Sequence, residues 1–545
     1  MNVKRIIRMI ALILTMAMLL GGCSFSEAGR QIENWLESQR YRDLYVYPYE
    51  DMVYERPDLA AIEAALDTAS ADAAAGENVN QVIASINDFY DAYDGYYTNY
   101  YLANIRYCAD MTDSYWSEEN NFCMENCPTV DAWLDELLYA LADSPLREEL
   151  EADKYFGADF FDAYDGESLW NEAFSALMEQ EAQLQNEYYA ISGEALEAES
   201  YSDAYFTEYG TEMTRILVEL VKTRQQIAVA AGYDNYINFA YDYYYYRDFT
   251  PEETGAYLLR IRDELVPLYR DVMTSDFFDQ GVDACTEDQA MAFLRKTARR
   301  IGGNVAEAFY ILEEGGLYDI AYGENKYDSS FEVYLTSYYQ PFIFTNPAGT
   351  DYDKMALVHE FGHFANDYLC GGAYTGTDVS EVMSQGMEYL SLCYGDASDQ
   401  LVALKMADSL CTYVEQAAYA SFEHQLYAMD PKEVTVDSVS TLYEQIGMEY
   451  GFDSWEWDSR DFVMITHFFT HPMYIISYVV SNDAALQLYQ LEQKKTGAGR
   501  EKYQQMVEWS DTYFLEFVGN AGLESPFAEG RLEAVAATIG SILEY

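Results

Sequence analysis

The chain has 545 residues, half of them apolar and 16% aromatic, with only 11 prolines. That length suffices for several domains and a large core, and the composition excludes a disordered or low-complexity protein. The 94 acidic residues against 31 basic ones give a net charge of −63, which repels phosphate backbones and argues against a nucleic-acid partner.

The first segment reads as an address. Lys4, Arg5 and Arg8 precede an apolar run from Met9 to Leu20, and Leu20-Gly21-Gly22-Cys23 follows. This pattern resembles the lipobox of bacterial lipoproteins. It implies a signal peptide over residues 1–22, a lipid-bearing Cys23 and a tether over 23–35. The remainder is then exported and anchored on the extracytoplasmic side of the cell membrane. The apolar run falls short of the roughly 20 residues a spanning helix needs, and no later stretch reaches that length. Besides Cys23 there are Cys108, Cys123, Cys127, Cys285, Cys370, Cys393 and Cys411. Their number is odd, so at least one stays free. A local link among Cys108, Cys123 and Cys127 and a set of buried free thiols are both open.

From Asp58 to Ser200, segments rich in Ala, Leu, Glu and Tyr recur without strand-type alternation. An N-terminal helical region over residues 36–199 is therefore expected, followed by a second region over 200–545 that holds the chemistry. The run Tyr243 to Tyr246 reads as packing, with its hydroxyls at the surface. Ser330 to Thr345 breaks the helical pattern: its β-branched and aromatic residues predict two short strands joined by a turn. Thr350 and Asp353 have the spacing of a capping box, and the helix they open should reach about Tyr368.

That helix carries His359-Glu360-Phe361-Gly362-His363. Residues i and i+4 share a face, so both imidazoles can reach one zinc ion, while Glu360 stands beside it as a proton acceptor. A hydrolytic zinc site usually has a third protein ligand. Glu381 is the candidate, brought back by the glycines at 371, 372 and 376. Glu388, seven residues on and on the same face, suits a hydrogen bond to a ligand imidazole, and Asp378 is a weaker candidate for such a place. Further along, His471 precedes Pro472, which predicts that His471 caps a helix whose first residue is the proline. Tyr474 and Tyr478 would then share a face of that helix, where a phenol can stabilise a developing oxyanion. His424 reads as a structural histidine within a helix.

The stretches QPFIFTNPAGTDYDKMALVHEFGH (340–363), EVMSQGME (381–388) and HFFTHPMYIISY (467–478) resemble the thimet oligopeptidase and oligoendopeptidase F group of zinc peptidases. A weaker patch runs from Ala231 to Glu253. The resemblance implies one zinc ion on His359, His363 and Glu381, with Glu360 as base. It also implies that His467, Tyr474 and Tyr478 contact substrate or the oxyanion. The implied fold is mainly α, a large helical body divided by a deep substrate channel, with a small β-sheet flanking the zinc helix. Two departures stand out: Asn366 occupies a position where members of the group often have histidine, and the segment between His363 and Glu381 is short. The resulting expectation is a membrane-tethered zinc endopeptidase acting on short peptides. The alternatives are a lipoprotein of this fold that binds peptides without cutting them, and a zinc protease of larger proteins. Oligomeric state is not readable from the sequence.

Overall fold

The computed structural model describes residues 44–152, 156–165, 171–195, 202–274, 281–452 and 457–544. The expected signal peptide, Cys23 and the tether lie outside the described residues. Three long helices come first: α1 (Leu59–Ala75), α2 (Val79–Ala109) and α3 (Ser114–Ala142). Each starts where the sequence supplies an acceptor. The side chains of Asp58, Asn78 and Asp113 take backbone N–H groups that the first turn leaves without partners. Their apolar faces form a small core of their own, including Ile62, Leu66, Phe89, Val130, Leu137 and Leu141. Helix α4 (Glu172–Glu194) instead places Phe174, Leu184 and Tyr188 in the larger core, packed against α5 (Thr211–Ala230). Part of the expected N-terminal region is thus continuous with the main body.

The two strands predicted between Ser330 and Thr345 are present, and a third short one joins them. The strands β1 (Tyr318–Asp319), β2 (Ser330–Leu335) and β3 (Gln340–Thr345) order as β1-β3-β2. β3 runs parallel to β1 and antiparallel to β2, with Phe331 opposite Phe344 and Val333 opposite Phe342. Every residue of β3 is buried, and both β2 and β3 pack against the next helix, α6 (Tyr352–Cys370). The turn between β2 and β3 is tied to the N-terminal helices, because Thr98 Oγ1 on α2 accepts the Ser337 N–H at 2.9 Å.

Helix α7 (Thr377–Tyr394) lies against α6 on one side and α10 (Ile476–Lys494) on the other. Between them in sequence come α8 (Asp399–Ala428) and the short α9 (Thr466–Thr470). The protein is mainly α with a small sheet against the histidine-bearing helix, as expected. The tyrosine run departs from expectation. Ala240–Tyr244 forms a π-helical turn, and Tyr245 is buried with its hydroxyl donating inward to the Pro472 carbonyl at 2.8 Å. Among the described residues all seven cysteines are free, and no helix is long and apolar enough to cross a membrane.

Candidate metal centre and active site

The start of α6 uses only the acidic half of the expected capping box. The Asp353 carboxylate accepts the N–H groups of Ala348, Gly349 and Thr350 at 2.8–2.9 Å, whereas the Thr350 hydroxyl is buried without a partner. Gly371 in the left-handed conformation ends the helix, so the chain can turn back at once. The returning α7 crosses α6 at Gly362. A Cβ there would lie 2.5 Å from both the Met383 carbonyl oxygen and Ser384 Cα. Only glycine lets the two backbones approach this closely.

That approach brings three side chains together. Glu381 Oε2 lies 3.5 Å from His359 Nε2 and 3.9 Å from His363 Nε2, and the candidate donor atoms all fall within 4.8 Å of one another. The Glu381 side chain is 2% exposed, whereas the imidazoles of His359 and His363 keep 21% and 14%. The carboxylate therefore lies deepest in the site, and the two rings are only partly exposed.

Each imidazole is oriented from behind through Nδ1. Glu388 Oε1 pairs with His359 Nδ1 at 2.8 Å, and Lys405 on α8 holds the other oxygen of Glu388 at 2.6 Å. Ser380 Oγ pairs with His363 Nδ1 at 2.8 Å. With both Nδ1 atoms engaged, the Nε2 atoms are the ones left for a cation. Asp378 does not take the place expected for it. Its carboxylate is buried in a two-point pair with Arg247 at 3.0 and 3.2 Å, and Ser380 does what was expected of it. Asn366 points away from the site and donates to the carbonyls of Val507 and Trp509.

The electrostatics favour a cation. Burial pulls His359 down, but the Glu388 hydrogen bond and the charges of Glu381, Glu388 and Glu360 outweigh it and lift the ring to about 9. Burial raises Glu360 to about 7, with Glu381 and Glu388 adding and His359 opposing. Left to itself, this cluster retains a proton to offset its surplus of carboxylates. Two imidazoles and a carboxylate are the donor set of hydrolytic zinc centres, and the residues fit one zinc ion.

A second segment brings phenols to the same place. His467 Nε2 lies 3.1 Å from the Tyr478 hydroxyl, and the Tyr474 hydroxyl donates to Glu381 Oε1 at 2.6 Å. Burial, reinforced by the Glu381 charge, pushes both phenols well above their usual range, so they remain protonated donors. Burial and the neighbouring His471 hold His467 neutral, at about 3. The local structure differs from the prediction. His471 ends α9 rather than opening a helix, Pro472 sits in a turn, and α10 begins only at Ile476. Tyr474 therefore precedes the helix that carries Tyr478, and the turn rather than a shared face brings their rings to 5.2 Å. His424 pairs with the Tyr241 hydroxyl at 2.9 Å, a structural contact.

Sequence reasoning passed over Ser380, Lys405 and Gly362. Lys405 carried a usable signal, as the single basic residue in the apolar stretch LVALKMADSL (401–410).

Residues 49–167 match the family described as the Peptidase M3 N-terminal domain. No curated protein matches the chain in a sequence search. Among solved structures, one assigned as an oligoendopeptidase F shares 22% identity at a TM-score of 0.81, covering 91% of this chain and 99% of its own. PZ peptidase A in complex with an inhibitor shares 20% at 0.80 with the same coverage. Oligoendopeptidase F from Enterococcus faecium shares 13% at 0.59, covering 89% of this chain and 96% of its own. The family match supports a peptidase, and the likeness to the solved structures shows a shared fold. Residues 49–167 are thus similar to the Peptidase M3 N-terminal domain, and the chain shares the fold of the solved oligoendopeptidase F structures, the group that its motifs resemble.

Proposed function

We propose that this chain is a zinc endopeptidase that hydrolyses internal bonds of short peptides, and that it is exported and held at the membrane by a lipid on Cys23. The observation that carries the reading is the convergence of His359, His363 and Glu381, with Glu360 on the same helix and two neutral phenols alongside. The export half is supported by the basic, apolar and Leu-Gly-Gly-Cys pattern at residues 4–23.

A zinc ion held by these three residues would polarise the scissile carbonyl and make water acidic enough to attack near neutral pH. Glu360 accepts the proton of the attacking water and returns it to the leaving amine. Tyr478 donates its hydroxyl to the carbonyl oxygen as negative charge develops there. His467 sets up that donation: with the ring neutral, an Nε2–H given to the phenol oxygen leaves the phenol proton free for substrate. Tyr474 is committed to Glu381 and orients the ligand carboxylate. The small sheet beside α6 offers β2, an outer strand, to an extended peptide backbone.

The test uses purified protein lacking residues 1–22, quenched peptides of graded length, and a chelator. Cleavage of short peptides that stops on chelation and returns with zinc is expected. Peptide binding without cleavage by the zinc-loaded protein would overturn the enzymatic reading. Efficient cutting of folded proteins would overturn the size preference. Labelling of Cys23 by a fatty-acid probe in cells, lost in Cys23→Ala, tests the anchor.

A further inference from the structure

The segment from Thr466 to Tyr478 carries His467, Tyr474 and Tyr478 but has little regular structure of its own. It consists of the five-residue α9, a turn through Pro472 and Met473, and the entry to α10. Its shape is imposed by buried side chains from elsewhere. Arg224 on α5, wholly buried and paired with Glu181 on α4, donates to the carbonyls of Phe468 and Phe469 at the end of α9. The Tyr245 hydroxyl holds the Pro472 carbonyl, and Arg247 donates to Ser477 Oγ at 3.0 Å.

The most telling contact is at Met473. This residue has φ +67°, a left-handed conformation that an unbranched but bulky side chain rarely adopts. Its backbone N–H donates at 2.9 Å to Oε1 of Glu423, a residue of α8 that is 2% exposed. A buried carboxyl group facing a strained peptide is unfavourable on both counts unless each answers the other. The residue after the strained one is Tyr474, whose hydroxyl meets Glu381 at 2.6 Å. The conformation at Met473 decides the direction in which Tyr474 leaves the turn.

We infer that Glu423 is a positioning residue: by accepting the Met473 N–H it fixes the left-handed turn and thereby keeps the Tyr474 hydroxyl on the ligand carboxylate of Glu381. The catalytic consequence rests on the function proposed above, while the structural one does not. The contact needs an oxygen acceptor of the right length, so Glu423→Gln preserves it. Glu423→Leu fills the space and removes the acceptor.

The experiment compares wild type, Glu423→Gln and Glu423→Leu by kcat and KM on a quenched peptide, and by hydrogen exchange over residues 466–478. Glu423→Leu is expected to lower kcat by about ten- to a hundredfold with KM changed less than about threefold, and to speed exchange in this segment alone. Glu423→Gln should stay within about threefold of wild type on every measure. In a Tyr474→Phe background the Leu substitution should cost little more, because both act through one hydroxyl; additive losses would overturn the route through Tyr474. Equal defects in Gln and Leu would overturn the role of the acceptor, as would unchanged exchange in Leu. If Glu423→Leu does not fold, Glu423→Ala takes its place. A wild-type protein that cleaves no peptide would refute the proposed function and leave the exchange data to judge Glu423.

Discussion

The two halves of the site are built in opposite ways. His359, Glu360, His363 and Glu381 stand on two long helices that cross at one glycine, so their relative positions follow from helical geometry and a single close approach. His467, Tyr474 and Tyr478 stand on thirteen residues with one short helix and a left-handed turn. Their positions are borrowed from α4, α5, α8 and the Tyr245 turn. The difference teaches where each kind of group is needed. On the function proposed above, ligands must hold an ion at fixed distances and gain from rigid elements, whereas groups that meet the substrate can sit on a segment tuned from behind.

The sharpest division should appear in metal content. His359→Ala and Glu381→Ala each remove a donor and are expected to lose zinc and with it all cleavage. Glu360→Gln should keep zinc while cleavage falls by about 10²–10⁴-fold, since the residue moves a proton and binds nothing. Metal analysis of the three purified variants checks this, and equal zinc loss in all three would erase the distinction between ligand and base. On the phenol side, Tyr478→Phe should keep zinc and lower kcat by about ten- to a thousandfold. Tyr474→Phe, which loosens Glu381 instead, should show the smaller fall in kcat and the larger fall in zinc affinity. The reverse order in paired kinetic and metal-binding measurements would exchange their roles.

The same contrast explains what was legible in the sequence. The His359–His363 pair and the Glu381–Glu388 pair are each spaced by helical periods, so each is legible as one face of its helix, whereas the meeting of the two faces depends on the close approach at Gly362. The strands at Ser330–Thr345 were legible from β-branched and aromatic content, but β1 was not, because two residues carry no periodicity. The turn at Pro472 stands where the sequence predicts the start of a helix. Local preference at His471-Pro472 permits that start, and the left-handed Met473 that defers it to Ile476 is held by Glu423, fifty residues away in sequence. Asp378 departs from expectation for a similar reason: its partner Arg247 lies 131 residues upstream, and no local pattern announces the pair. Ser380 carries no local signal of its place behind His363, which the fold alone supplies.

The crossing of the two helices gives a test of intermediate size. Gly362→Ala adds one carbon where backbone lies 2.5 Å away, and neither the Met383 carbonyl nor Ser384 Cα can yield without moving α7. The expected result is a stability loss of about 1–3 kcal/mol and zinc affinity weaker by about 10–100-fold, with His359 and His363 themselves intact. Thermal unfolding and zinc titration measure the two. An alanine variant with wild-type zinc affinity would show that the ligand geometry does not depend on this approach. The corresponding substitution in the other half, Met473→Gly, relieves strain instead of adding it and should leave zinc affinity unchanged.

The smallest expected effect concerns the protonation of Glu423. Burial raises this carboxyl to about 8, against the opposing pull of the Met473 N–H and the charges of Arg224 and Arg247. An unfolded chain releases the same proton near the ordinary glutamate value of about 4.3. Between those values the folded state binds more proton than the unfolded one, so this group makes stability fall as pH rises, and its effect levels off above about 8. Glutamine cannot titrate and resembles the neutral acid in shape and in its acceptor oxygen. The melting temperature of Glu423→Gln, measured against wild type, should therefore gain by a few degrees between pH 5 and pH 8.5. The many other acids of the chain titrate alike in both proteins and cancel in the difference. A difference that stays constant across that range would mean that Glu423 is already ionised in the folded protein, with Arg224 and Arg247 outweighing its burial. The Met473 N–H would then be held by a charge, and the Gln variant should grip the turn less well than the wild type does.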